Sequence, residues 1–390
     1  MKEGVVMEQL LWVALSLVEG IGNKKLKKLY DYNSELRYND IISDNDIKKI
    51  IKNEKVYEKV IDREYLERKI FEAKEIVANH SKKGIEIVTI SSAKYPSLLK
   101  LIEDPPVLLY CKGNIELLNK DENLAIIGTR EPTNYGIAAA KKVARVFAER
   151  GFTIVSGLAI GIDTAGHQGA LEAKNGRTIA VMAGSLDNIY PKENRKLAEE
   201  ILNKDGLLVS EIPLGKKTFK GSFVSRDRIQ SGMSLGVCPI QAPLKSGTHH
   251  TINFAEKQNR LVFCPVPIEP KDVQATQGIY DLIDTKKVIT ISTTEDYQVI
   301  QNLLYEKQNE LKSSVSVKES CIKNAKEEKK NKQEVDENYN LFSISEEEEI
   351  EVLSQSLKKY LNLCKEYNLS KEHIENMFLE ELNKNEFRIK

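Results

Sequence analysis

The sequence predicts an α/β fold: a doubly wound, mostly parallel sheet with small helical N- and C-terminal modules. Three features predict it. From Leu124 to Ile291, short β-branched apolar runs alternate with stretches of helical length. Glycine-rich polar loops follow those runs. On both flanks the apolar residues recur at helical spacing instead. Strands alternating with helices imply βαβ units, whose right-handed crossovers place helices on both faces of the sheet. The chain has 390 residues and is 41% hydrophobic, enough for about two or three domains with a sizeable core.

Residues 1–83 read as a helical region. Leu10, Leu11, Ala14, Leu17 and Val18 share one helix face, Gly20-Ile21-Gly22 makes a turn, and Lys24 to Tyr30 forms a basic second helix. This pattern fits a helix-hairpin-helix, whose turn amides touch DNA phosphates. It also fits a plain helical hairpin that uses glycine to turn tightly. Residues 38–83 are charge-rich and helical in pattern, without chemistry that can be named. The core is expected over 84–295. Ile85 to Ile90 reads as a strand, Tyr95-Pro96 opens a short helix closed by Asp104-Pro105-Pro106, and Val107–Cys111 is a further apolar run. Strands follow at Leu124–Ile127, Thr153–Val155, Thr178–Met182, Leu207–Val209, Leu235–Ile240 and Leu261–Pro265. Helices are expected at Tyr135–Arg150, Ile162–Lys174 and Asn194–Leu202.

Residues 296–345 are assigned to a charged linker. The stretch from Tyr305 to Asn338 is rich in Lys, Glu, Asn and Ser and lacks an apolar stripe. Residues 346–390 read as a helical module, with Ile350, Leu353, Leu357, Tyr360 and Leu361 on one face. Ser370 caps a second helix carrying Ile374, Phe378 and Leu382. The run Glu346–Glu349 would repel phosphate, so this module suits partner docking or dimer support better than DNA contact.

Several function classes drop out. The five cysteines form no C-x-x-C pair and the five histidines supply no zinc spacing, so no metal is expected. The thiols read as buried or incidental in a reducing compartment. There is no signal-peptide pattern at the start, and no run approaches the roughly 18 apolar residues of a membrane span. A cytoplasmic protein without membrane contact is expected. No G-x-G-x-x-G, no P-loop, no G-x-S-x-G elbow and no nucleophile–base–carboxylate set occurs, so neither a cofactor nor an enzyme activity is expected. The formal net charge is zero, but residues 123–267 carry 19 Lys and Arg against 12 Asp and Glu. A basic middle suits a phosphate-binding face.

Ligands of an open parallel sheet bind where the strands end. Gly128-Thr129-Arg130 follows the first core strand, and Ser156-Gly157 opens the loop that runs to Asp163 after the second. Ala183-Gly184-Ser185 follows the third, with Tyr190-Pro191 beyond it; Ser210-Glu211 follows the fourth; and Gln241 precedes Ser246-Gly247-Thr248, which opens a helix. Glycine lets backbone amides approach an anion, and a helix N-terminus adds unpaired N–H groups. Together these loops predict a crevice for several phosphates; each alone is an ordinary βα turn. The most DNA-like segment is Lys220 to Arg228. Read as an extended loop, it points Arg226 and Arg228 to the same side. Phe223 among these cations offers a face for base stacking or, alternatively, a side chain for the core.

In order along the chain, these residues resemble the DNA-processing protein A (DprA/Smf) family. The family's G-[ST]-R appears as Gly128-Thr129-Arg130, and its S-G-x-A-x-G-I-D as Ser156 to Asp163, followed by Ala165, His167 and Ala170-Leu171. Its Y-P-x-x-N is Tyr190 to Asn194, its S-E-x-P is Ser210 to Pro213, and its S-G-[ST] is Ser246 to Thr248. The upstream Y-P-x-x-L and D-P-P patterns lie between Tyr95 and Asn114. The family's F-x-x-R-N-R-I is Phe223 to Ile229, with Asp227 in place of the asparagine; such an Asp repels phosphate unless it pairs with a neighbouring Arg. Gln241 stands where the family has Glu, and His249-His250 where apolar residues are usual.

The resemblance implies an extended Rossmann-like core that dimerises and binds single-stranded DNA in a basic pocket. It implies that the protein protects incoming DNA and loads RecA recombinase onto it in natural transformation, without hydrolysing nucleotides. The pocket would comprise Gly128, Thr129, Arg130, Lys220, Phe223, Arg226 and Arg228, joined by Ser156, Gly157, Ser246, Gly247 and Thr248 from the loops. Two other readings stay open. One is a nucleotide or nucleotide-sugar sensor or hydrolase in the same crevice, although P-G-G-x-G-T-x-x-E is absent. The other is an interaction scaffold with a degenerate DNA pocket.

Overall fold

The apolar runs become strands β1 (Ile85–Thr89), β2 (Leu108–Gly113), β3 (Asn123–Ile127), β4 (Thr153–Ser156), β5 (Arg177–Met182), β6 (Leu207–Ser210), β7 (Gly236–Pro239), β8 (Leu261–Pro265) and β9 (Ile289–Ile291). The computed structural model describes residues 3–34, 36–43, 46–216, 218–286 and 288–313. The helical module expected over 346–390, with Cys364, and Cys321 of the linker lie outside the described residues. Among the described residues the sheet has nine strands in the order β1-β2-β6-β5-β4-β3-β7-β8-β9. Pairings from β6 through β9 are parallel, while β1 and β2 form an antiparallel hairpin added to the β6 edge. Strands β3 to β7 are buried along nearly their whole length, which accounts for their unbroken apolar runs.

Among the described residues, six helices precede the sheet: α1 (Glu3–Ser16), α2 (Asn23–Tyr32), α3 (Tyr38–Ser43), α4 (Asp46–Ile51), α5 (Glu54–Ile61) and α6 (Arg63–Lys82). Between and after the strands come α7 (Ser97–Lys100), α8 (Asn134–Glu149), α9 (Ile162–Glu172), α10 (Arg195–Asn203), α11 (Lys220–Gly232), α12 (Thr248–Lys257), α13 (Gln277–Lys286) and α14, residues 296–313. The N-terminal helices share one hydrophobic cluster with β1, β2, β5 and β6, in which Trp12 and Tyr110 are almost wholly buried. A second cluster lies over β3, β4, β7 and β8. Its centre is Phe147, with Phe152, Phe263 and Tyr297 at ring distances of 5.6, 5.7 and 5.7 Å.

Three expectations need correction. Residues 220–228 are not an extended loop but the first turns of α11. The Ser222 hydroxyl accepts from the Phe219 N–H at 3.3 Å, half of a capping box, and Ile229 and Met233 are buried on the helix's inner side. The linker does not begin at 296. In α14, Asp296 accepts from the N–H groups of Ser292 and Thr293, both at 2.7 Å, and Tyr297, Ile300, Leu304 and Leu311 pack into the second cluster. Neither β9 nor α13 was expected; β9 is only 3 residues long, too short for a period to show.

Sheet order fixes where a ligand can enter. From β3 the chain winds outward through β4, β5 and β6, then returns to place β7 and β8 on the opposite side of β3. The loops after β3 and β7 therefore diverge, and a crevice opens between them at the strands' C-terminal ends.

Candidate nucleic-acid interface

At that switch point lies a cavity of about 410 Å³, lined by Gly128 to Arg130 from the loop after β3, by Asp163, by Phe223, Arg226 and Asp227 of α11, and by Ser246 to Thr248 at the start of α12. A narrower cavity of about 60 Å³ adjoins it. It shares Arg130, Ala159, Phe223 and Arg226 and adds Gly157, Gly184, Tyr190 and Thr218. The two are halves of one crevice that runs along the ends of β7, β3, β4 and β5.

Its outer wall is cationic and aromatic. Arg130 is exposed, and its guanidinium sits 5.5 Å over the Phe223 ring. Tyr190 meets the same ring edge-on at 5.9 Å and is 55% exposed. Phe223 is half-buried, so it belongs to the wall of the crevice and not to the core. Thr129 and Thr248 line the cavity and are largely buried, and the Ser246 hydroxyl, also on the wall, has no hydrogen-bond partner among the described residues. Helix α12 has neither a side-chain cap nor an acidic residue in its first turn, which leaves its positive end facing the cavity.

The floor is an internal ion-pair network. Arg226 is buried. Its Nη1 donates to the Val181 carbonyl at 3.3 Å and lies 3.8 Å from Asp163 Oδ2, while Nε is 3.2 Å from Asp227 Oδ1. The Gly157 and Ala159 N–H groups donate to Asp163 Oδ2 at 3.1 and 3.4 Å. Burial pushes the Asp163 carboxyl above its ordinary value, with Arg226 and these amides partly offsetting it. The Thr129 N–H donates to the Gln241 carbonyl at 2.7 Å.

These bonds change the reading of the glycine loops. The amides of Thr129 and Gly157, expected at a phosphate, are committed inside the protein. Gly157 is required because a Cβ there would lie 1.2 Å from Arg226 Nη1; at Gly128 a Cβ would meet the Gln241 carbonyl at 2.8 Å. Close packing of side chain and backbone, not room for an anion, selects these glycines. Ser156 is fully buried, its hydroxyl donating to the Ile126 carbonyl at 2.6 Å, and does not reach the crevice.

The helical form of α11 also separates the two arginines. Two residues along a helix is over half a turn, so Arg228 points away from Arg226. It is buried, with Nη2 2.7 Å from Glu211 Oε2, Nη1 3.2 Å from Glu211 Oε1 and Nε 3.1 Å from Asp104 Oδ2. Asn23, at the start of α2, binds the same loop: its amide donates to the carbonyls of Asp104 and Pro105 and accepts from the Val107 N–H. Arg228 thus anchors the joint between the N-terminal helices and the sheet and does not line the crevice. The Gly20-Ile21-Gly22 turn borders that joint. Lys220 opens α11, and its side chain lies outside the described residues. Two of the residues where the sequence departs from the family pattern have structural partners. Gln241 donates to Thr133 Oγ1 at 2.9 Å and to Glu269 at 2.6 Å, and His249 Nε2 lies 3.0 Å from the Pro243 carbonyl. His250 lines the cavity.

No cluster that could hold a metal and no helix long and apolar enough to cross a membrane occurs among the described residues. Cys111, Cys238 and Cys264 are free and buried.

The chain is similar to known proteins. The model of the DNA recombination-mediator protein A family matches residues 86–301. The chain belongs to this family. A relative named Smf from Synechocystis is 37% identical over 295 residues, 74% of this chain and 71% of that one. A Bacillus subtilis relative named DNA processing protein DprA is 43% identical over 188 residues, 48% of this chain and 63% of that one. Among solved structures, DprA of Streptococcus pneumoniae superposes with a TM-score of 0.61 at 29% identity, covering 75% of this chain and 96% of that one. DprA of Helicobacter pylori, described for its single-stranded DNA binding mode, gives 0.50 at 33%, covering 57% and 97%. The family match spans β1 through the first third of α14, and so includes every residue of the crevice described above.

Tyr190 and Asp163 were noticed in the sequence only as parts of loops at strand ends, and Gln230, which also lines the larger cavity, not at all. The dipeptide Tyr190-Pro191 beyond a parallel strand's end was the available signal. The ion pairing of Asp163 depends on a residue 63 positions further on, which no local pattern can show.

Proposed function

We propose that this protein binds single-stranded DNA in the crevice between the β3, β4 and β7 ends, protects it, and passes it to the RecA recombinase during natural transformation, acting as a homodimer and without hydrolysing nucleotides. The observation that carries the reading is the cluster of Arg130, Phe223 and Tyr190 on the crevice wall. A cation that can pair with phosphate, set beside rings that can stack on bases, recognises the two features every single strand presents, whatever its sequence. Family membership and the Helicobacter relative support the same ligand. The rival reading, a nucleotide or nucleotide-sugar pocket, depends on loop amides free to cradle a diphosphate, and here the amides of Thr129 and Gly157 are already engaged.

The test is a titration of the full chain with labelled oligo-dT, single- and double-stranded, across salt concentration. Single strands are expected to bind tighter, with affinity falling by about 0.7 log units per log unit of salt for each phosphate neutralised. Equal affinity for duplex, or no response to salt, would remove this reading.

A further inference from the structure

The crevice holds more negative charge than a phosphate site should. Asp227 lines the larger cavity beside Arg130, and its carboxylate lies 3.2 Å from Arg226 Nε with its side chain only 13% exposed. Asp163 approaches the same guanidinium from α9, at 3.8 Å. Two carboxylates therefore share one buried guanidinium. With its amide turned to satisfy both neighbours, Gln230 donates to Asp227 Oδ1 at 3.2 Å and accepts from the Gly157 N–H at 2.8 Å. The charged and titratable groups facing Asp227 across the cavity are Arg130 from the loop after β3, Asp163 from α9, Arg226 from its own helix and His250 from α12.

Resting on the single-strand reading of this crevice, we infer that Asp227 is a built-in competitor of DNA phosphate at Arg226 and Arg130, and that binding a single strand neutralises Asp227 by proton uptake. A phosphate brought to the exposed Arg130 enters the field of a carboxylate already paired with the neighbouring guanidinium. The two anions cannot both be held close at low cost, and the carboxyl is the one able to take up a proton near neutral pH. Burial, helped by the charge of Asp163 and opposed by Arg226 and Arg130, pushes the Asp227 carboxyl up to about 6. A phosphate anion nearby pushes it higher still. Binding then takes up protons above the free protein's value, and affinity rises as the pH falls.

The experiment compares the full chain with D227N and H250N in oligo-dT titrations at fixed ionic strength, from about pH 8 to about pH 5.5. The unaltered protein is expected to gain affinity toward low pH, by as much as about tenfold per pH unit above its midpoint. D227N is expected to bind about tenfold tighter at the high end, the worth of one charge-assisted contact, and to lose most of the pH dependence. H250N is expected to keep it. A pH dependence equal in D227N and the unaltered protein, or one abolished by H250N alone, would overturn the inference while leaving single-strand binding intact. No binding by any of the three at any pH would remove the single-strand reading and the coupling together. The melting temperature of D227N, measured across the same pH range, separates altered binding from misfolding.

Discussion

Replacing Arg228 with alanine is expected to destabilise the protein by about 3 kcal/mol or more, the typical cost of leaving partly buried carboxylates without their cation. The side chain is 5% exposed and bidentate to Glu211, itself 15% exposed, with Asp104 as a second acidic partner. Removing it leaves both carboxylates facing each other across the joint where α11, the end of β6 and the loop after α7 meet. Urea denaturation should show a lower midpoint with an unchanged slope. Glu211→Gln in the same chain should restore part of the loss, because the repulsion left behind is then reduced. Oligo-dT affinity, measured where the variant stays folded, should move less than threefold, under roughly 0.7 kcal/mol. Intact stability with lost DNA affinity would put Arg228 in the binding site after all.

The second large effect falls on binding. Phe223→Ala is expected to cost about 1–3 kcal/mol of single-strand affinity, the usual worth of a stacked base, and to leave the salt dependence nearly unchanged. Its half-buried ring touches Arg130 and Tyr190 on the crevice wall, so its loss should lower the melting temperature only slightly. Arg130→Ala acts by other physics. It should weaken binding and flatten the log–log salt slope by about 0.7, one phosphate's share on a single strand. A Phe223→Ala variant that unfolds several degrees earlier, or whose salt slope changes as much as that of Arg130→Ala, would place Phe223 in the fold and not at the DNA.

The strands and the family were legible because central parallel strands are buried on both faces and announce themselves as unbroken β-branched runs: Leu124–Ile127 and Thr178–Met182 could be little else. Helix α11 was not. Its first turns carry Phe and Val, which favour extended backbone, and its helical form is dictated by burying Ile229 and Met233 beneath it. The alternation Arg226-Asp227-Arg228 looked like an extended loop with both arginines on one side; wound into a helix it sends one arginine to the crevice floor and the other to a structural joint. The glycines marked the right loops for the wrong reason. Gly157 is small because Arg226 lies across it, a long-range fact invisible locally. Helix α14 was hidden by its charged outer face, although Tyr297, Ile300 and Leu304 keep helical spacing.

Photo-cross-linking tests the central claim most directly. A single-stranded oligo-dT carrying photoreactive thymines, irradiated with the full chain and mapped by mass spectrometry, should label peptides containing Phe223 or Tyr190, the rings on the crevice wall. Excess unlabelled single strand should suppress that labelling and duplex should not. Cross-links confined to residues 346–390, or to the turn at Gly20 to Gly22, with the crevice unmarked, would show that single-stranded DNA is held elsewhere on this protein.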